Sequence, residues 1–254
     1  MAHTLVEAND VCLTYHEPTA ETRAIEHLSF QVNQGEFVSI VGPSGCGKTS
    51  ILSLLAGLMK PSEGEIHIYD GKQPGYMLQR DHLLDWRTIE GNIMLGLEVK
   101  QMATPENRAY ALSLLDTYGL SEFRHHYPRQ LSGGMRQKVA LIRTLATSPE
   151  LLLLDEPFSA LDYQTRLRVA DEIHSILRRE GKTAILVTHD ISEAISMSDR
   201  VLVFSSRPAT LKHEHSIHLS GDNTPLGRRN APEFKDYFDM IWKELDSYEK
   251  TSAS

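Results

Sequence analysis

The chain is poor in cysteine. Its 254 residues hold only two, Cys12 and Cys46, too few for a disulfide scaffold. Positive charge is also short: 26 Lys plus Arg against 34 Asp plus Glu leave a formal charge of -8. Proteins that coat nucleic acid carry the opposite sign, because neutralised phosphates supply their non-specific affinity. No nucleic-acid partner is expected. Long apolar runs are missing too. The longest mostly apolar stretches, 51–59 and 151–154, fall well short of the about 20 residues that cross a bilayer. The N-terminus has no basic region followed by an apolar stretch, so no signal peptide is expected. No internal repeat and no heptad run is evident.

What is present is globular in composition, with 41% hydrophobic and 24% charged residues, which excludes a disordered or collagen-like chain. Alternating apolar positions predict early strands over 6–15 and 25–33. Further strands are read at 36–41, 64–69, 75–79, 151–154, 184–187 and 201–204, and helices at 49–58, 133–146 and 165–179. Fully apolar strands alternating with helices indicate an α/β fold with a mostly parallel sheet. The early alternating strands indicate an antiparallel β layer at the N-terminus. We expect one domain over 1–254, a helical insertion near 90–150, turns after Arg207, and a closing helix over 232–246.

Three motifs carry chemistry. Gly42-Pro43-Ser44-Gly45-Cys46-Gly47-Lys48-Thr49 follows a predicted strand and opens a predicted helix. Glycines let such a loop point successive N–H groups at phosphate oxygens, and the helix start adds partial positive charge. Lys48 is expected on the β- and γ-phosphates of ATP and Thr49 on Mg2+; Ser50 closes the nucleotide-binding run. Leu151–Leu154 ends in Asp155 and Glu156, the first read as a Mg2+ ligand and the second as the base that polarises an attacking water. Ser132-Gly133-Gly134 forms a second helix start with bare donors. Held by a second copy, it could grip one γ-phosphate from the other side and make ATP the glue of a dimer. Cys46, inside the loop, is expected to have a lowered thiol pKa. Its alkylation would then block hydrolysis.

Together these motifs resemble the nucleotide-binding subunit of an ATP-binding cassette transporter, a P-loop NTPase fold. Leu131-Ser132-Gly133-Gly134-Met135-Arg136-Gln137 matches the family signature, and the resemblance covers about residues 5–210. It implies that Tyr15 stacks on adenine. Gln79 would sense Mg2+ and link to the membrane subunit, Asp162 would lie in the loop crossing the dimer interface, and His189 would contact the γ-phosphate. Catalysis would rest on Glu156, His189 and Lys48. It also implies two permease subunits, a periplasmic or lipid-anchored solute-binding protein, and a peripheral place on the cytoplasmic face of the inner membrane. Leu83-Leu84-Asp85-Trp86-Arg87-Thr88 and Ser206-Arg207-Pro208 are similar to bacterial importers of nitrate, sulfonates and taurine. The alternative is a soluble ATP-driven switch, a class that usually joins two cassettes or carries coiled insertions; this chain has one cassette.

Overall fold

The computed structural model describes residues 3–17, 20–69, 71 and 73–252. The chain begins as a long hairpin, β1 (Thr4–Glu17) and β2 (Ala20–Asn33), followed by β3 (Phe37–Val41), α1 (Lys48–Leu55), β4 (Glu63–Ile68) and β5 (Gly75–Met77). The next stretch is helical: α2 (Ile89–Val99), α3 (Pro105–Thr117), two short 3-10 turns and α4 (Gly133–Leu145). Then come β6 (Leu151–Asp155), α5 (Tyr163–Arg179), β7 (Thr183–Val187), α6 (Ile191–Met197), β8 (Arg200–Phe204), β9 (Leu211–Ser216), α7 (Pro225–Arg228) and α8 (Phe234–Ser252).

Two sheets result. An antiparallel sheet runs β2-β1-β4, and a larger one runs β5-β6-β7-β3-β8-β9. The larger sheet is parallel from β5 to β8, and only β9 pairs antiparallel. This is the α/β arrangement that the alternation of apolar strands and helices indicates.

The core follows from the period-2 geometry of strands. Leu151–Leu154 are all nearly inaccessible, yet they serve two layers. Leu152 and Leu154, with Ala184 and Leu186, face α2–α5. Leu151 and Leu153, with Ile185 and Val187, face α1 and the antiparallel sheet. Each leucine so buried contributes roughly 1.5–3 kcal/mol, and β6 carries no polar residue until Asp155. A third cluster joins Ile195 of α6 and Val201 of β8 to Ile241 of α8.

Helix starts are set by local chemistry. Thr88, Thr104, Ser132, Asp162, Asp190 and Thr224 each accept a hydrogen bond from a backbone N–H in the first turn of the following helix.

The structure corrects the sequence reading in places. The turn-rich reading after Arg207 misses β9, whose residues are mostly polar and exposed. Its strand form is imposed by pairing with β8, not by an apolar pattern of its own. His213 and His215 lie on this strand, and both face Glu244 of α8, at 3.6 and 2.9 Å. Among the described residues, no cluster of His, Cys, Asp and Glu is arranged to hold a metal. Helix α6 was not anticipated. Its signal was Asp190 followed three residues later by Glu193, a capping pattern, and Asp190 Oδ1 does accept the Glu193 N–H at 3.1 Å. The closing helix expected over 232–246 runs Phe234–Ser252.

Glu193 gives the fold a pH dependence. Its carboxyl is buried against the Thr188 hydroxyl, and burial pushes its pKa up to about 7 from 4.5. Between those values the unfolded chain ionises first and binds fewer protons than the folded one. The stabilisation is complete below about pH 4.5 and is lost as pH rises through about 7. Glu193→Gln removes this slope. The stability difference between variant and wild type is expected to change by about 3 kcal/mol from pH 4.5 to pH 8. Urea denaturation across that range measures it, and a difference that stays constant would refute the assignment.

Candidate active site

The loop 42–47 leaves the C-terminal edge of β3 and enters α1. That is the edge of a parallel sheet where ligands gather. Gly47 is the N-cap, at φ 126 and with no side-chain cap on the helix. The first N–H donors of α1 therefore stay open, unlike those of the capped helices above. A Cβ at Gly47 would sit 3.0 Å from the Ala24 carbonyl, so both backbone angle and space demand glycine.

Lys48 is only 7% exposed. Its ammonium donates to the carbonyls of Gly42 (2.8 Å) and Pro43 (2.9 Å) of its own loop, and no carboxylate pairs with it among the described residues. A buried cation whose hydrogen bonds go only to neutral carbonyls is suited to receive an anion. Next in the chain, Thr49 Oγ1 donates to Asp155 Oδ1 at 3.3 Å. The Tyr76 hydroxyl donates to Asp155 Oδ2 at 3.4 Å. Burial, with the nearby Glu156 charge adding to it, pushes the Asp155 carboxyl above the usual range. Ser50 and Tyr15 share a hydroxyl hydrogen bond of 2.9 Å, which fixes the Tyr15 ring beside the first turn of α1.

Glu156 stands just beyond the strand, with φ 43 and its N–H donating to the Val187 carbonyl at 2.8 Å. Its Oε2 accepts from Gln79 Nε2 at 3.0 Å and lies 3.2 Å from His189 Nδ1. The carboxylate is thus held from two sides, by residues from two other segments. Around one strand end the fold gathers Lys48, Thr49, Asp155, Glu156, Gln79 and His189.

It does not bring Ser132–Gly134 there. Among the described residues these share no hydrogen bond or ion pair with the loop. They lie instead against the following segment of the same chain: a Cβ on Gly134 would meet Thr165 Cγ2 at 2.8 Å. Asp162 is likewise apart, exposed and capping α5 through the Thr165 N–H at 3.1 Å. That hydrogen bond holds its carboxyl below the usual range.

Comparison with known proteins decides what this cluster belongs to. Residues 25–159 match the family model described as ABC transporter. The chain is 46% identical to the uncharacterized ABC transporter ATP-binding protein YtlC of Bacillus subtilis (strain 168), over 96% of this chain and 97% of the relative. The chain belongs to the ABC transporter family. The nitrate import ATP-binding protein NrtD of Synechocystis sp. is 40% identical, covering 86% of each chain. The taurine import ATP-binding protein TauB of Yersinia pestis bv. Antiqua (strain Antiqua) is 41% identical, over 77% of this chain and 79% of its own. Among solved structures, the ATP-binding cassette MJ0796, dimeric in a post-hydrolysis state with ADP and Pi, superposes with a TM-score of 0.73. It is 31% identical and covers 84% of this chain and 99% of its own. The cassette is therefore an ATPase, the ATP-binding and ATP-hydrolysing part of an ABC transporter. No described helix is long and apolar enough to cross a membrane.

Within the cassette, one sequence expectation is reversed. Cys46 is 1% exposed, and burial pushes its thiol up, outweighing the opposing charges of Lys48 and Arg207. The helix start does not activate this cysteine, because the side chain sits in the core cluster that also holds Ile51, and this burial outweighs the pull of the Lys48 and Cys46 backbone N–H groups on the thiol. Cys12 is buried as well. A maleimide reagent is therefore expected to label both thiols slowly in the native cassette and rapidly in denaturant. Mass spectrometry over time reads this, and fast native labelling at Cys46 would reject it.

Sequence reasoning also missed partners of the site that arrive from far along the chain. Tyr76 reaches Asp155 from β5. Trp242, Leu245 and Asp246 of α8 line one cavity with Gly42, Pro43, Ser44 and His189. Arg166 of α5 donates to the Leu161 carbonyl (3.2 Å) and pairs with Asp190 (3.4 Å), tying the 159–162 loop to the segment that carries His189. Trp86, 75% exposed, stands free on the surface.

Proposed function

We propose that this cassette energises import of a small anionic or zwitterionic compound, of the nitrate, sulfonate or taurine type, through two separate permease subunits. A periplasmic or lipid-anchored solute-binding protein delivers the compound, and the cassette docks on the cytoplasmic face of the membrane. The names of NrtD and TauB at about 40% identity support the class, as does Ser206-Arg207-Pro208. The observation that carries the catalytic reading is the carboxylate of Glu156, held by Gln79 and His189 beside Asp155 and the phosphate loop.

In this reading Lys48 exchanges its two carbonyl partners for β- and γ-phosphate oxygens of ATP. Backbone N–H groups of 42–47 and Ser50 hold the remaining phosphate charge, and Tyr15 flanks the adenine. The adjacent oxygens of Thr49 and Asp155 fit a hard divalent cation: the carboxylate is buried and has no cationic side chain paired to it among the described residues. Thr49, Asp155 and Gln79 would hold Mg2+, which would supply positive charge against the phosphates when bound. Glu156 removes a proton from the attacking water, and His189 steadies the γ-phosphate. The nucleotide is completed by Ser132–Gly134 of a second copy, which explains why one chain keeps that helix start away from the loop. Asp162 lies in the segment between the two copies. The domain is a single cassette with a helical subdomain near 90–150 and a C-terminal helix.

Light scattering on the purified Glu156→Gln variant tests the dimer: it is expected to elute as a dimer in ATP with Mg2+ and as a monomer in ADP. A monomer under both conditions would overturn the shared site. Uptake of labelled nitrate and of labelled taurine, in cells with wild-type or Glu156→Gln cassette, tests the cargo. Loss of neither flux would remove the class.

A further inference from the structure

The segment between β8 and β9 is more than a turn. The Ser205 N–H donates to the Thr210 carbonyl at 3.0 Å, and the Ser205 hydroxyl accepts from the Thr210 N–H at 2.9 Å. Ala209 is fully buried. It stitches the segment to β2, donating to the Ala24 carbonyl (2.9 Å) and accepting from the Glu26 N–H (3.0 Å). The result is a rigid strap lying along the back of the phosphate loop. A Cβ at Gly42 would touch Phe204 at 3.1 Å, and one at Gly47 would touch Ala209 at 3.5 Å.

The strap also presents a charged side chain to the loop. Arg207 places two donors on a single acceptor, the Gly45 carbonyl: Nε at 3.1 Å and Nη2 at 2.9 Å. Gly45 has φ 72, a region that glycine adopts without steric cost, and the N–H of the same peptide, on Cys46, donates to the Pro43 carbonyl at 3.3 Å. A carbonyl turned toward the bound phosphates would repel them, whereas one turned outward leaves the cradle lined with N–H groups. A charge-assisted, two-donor hydrogen bond is among the stronger means of fixing such a choice.

We propose that Arg207 is a positioning residue for nucleotide phosphate. It acts through the Gly45 peptide, holding that carbonyl out of the cradle, and its charge raises the local potential for the anion. The inference rests on the loop binding ATP phosphates as described above. Arg207 makes no step of the chemistry, so its loss weakens nucleotide binding and spares turnover at saturation.

Steady-state ATPase kinetics decide it. Arg207→Ala is expected to raise KM for ATP about 3–10-fold, with kcat within about two-fold of wild type and an unchanged melting temperature. Arg207→Lys keeps the charge but cannot place two donors on one oxygen in this way, and is expected to recover less than half of the loss. If the alanine variant melts early, Arg207→Gln, which keeps a neutral donor, takes its place in the same comparison. An unchanged KM overturns the proposal, as does a fall in kcat alone. Full recovery by lysine also overturns it, since charge without the peptide contact would then suffice. Lys48→Ala is the reference. If it abolishes ATP binding while Arg207→Ala leaves KM untouched, the phosphate loop stands and this inference falls. If Lys48→Ala binds ATP normally, both fall.

Discussion

Glu156→Gln is expected to hold ATP with near wild-type affinity and to hydrolyse it about 10²–10⁴-fold more slowly, the typical contribution of a positioned general base. The geometry supports the separation of binding from turnover. Among the described residues the Glu156 carboxylate shares no hydrogen bond or ion pair with the loop that carries Lys48; its partners are Gln79 and His189. Glutamine fills the same space and keeps an oxygen for the Gln79 amide, so the surroundings need not rearrange. What disappears is a carboxylate able to take a proton. Phosphate release measured beside ATP binding checks the result. Turnover within about three-fold of wild type would return the general-base role to another group. His189→Ala gives an internal comparison, because it removes one of the two side chains that hold the carboxylate while leaving the base in place.

Gly64→Ala is expected to be the most damaging of the small substitutions. Gly64 lies at the register shift in the pairing of β4 with β1, between Glu63 and Glu65, at φ 77. An added Cβ would lie 2.2 Å from the Asp10 carbonyl oxygen and 2.5 Å from that of Asn9. Those oxygens belong to backbone, so they cannot step aside as a side-chain tip could. Backbone strain of about 1–3 kcal/mol adds to an overlap cost of similar size. The melting temperature is then expected to fall by roughly 5–20 °C. Gly35→Ala is the control: it has nearly the same positive φ, but nothing lies within 4 Å of its added Cβ. It isolates the backbone contribution. Equal melting temperatures for the two variants would show that the close approach costs nothing.

The parts of the site that were readable in the sequence are those contiguous in it. The loop 42–49 and the pair Asp155-Glu156 each lie within one run, and each is placed by a fully buried strand immediately before it. Helix α4 was readable because Ser132 caps it and its apolar positions recur at helical spacing. What escaped was set by pairing across the chain. Strand β9 has no alternation of its own and exists because β8 offers it an edge. Tyr76 reaches Asp155 from 79 positions away, and Arg207 and Trp242 reach the loop from 162 to 200 positions away; no local pattern shows where these side chains go. Cys46 shows the opposite failure. Its neighbours were read correctly, but the sequence could not say that the side chain points inward, and burial then outweighs the field of the helix start.

Strand β6 carries one core on each face. Its even-numbered leucines belong to the helical half of the molecule and its odd-numbered ones to the hairpin half. This makes the helical stretch 89–145 a poor graft. A hybrid that takes it from a relative cuts at loops in the sequence, yet the true seam runs through the middle of the sheet, between side chains one residue apart. Leu152, Leu154, Ala184 and Leu186 would have to travel with the transplanted helices while their strand-mates stay behind. Successful shuffling of cassette parts therefore depends on residues that lie outside the exchanged segment, these four strand positions among them.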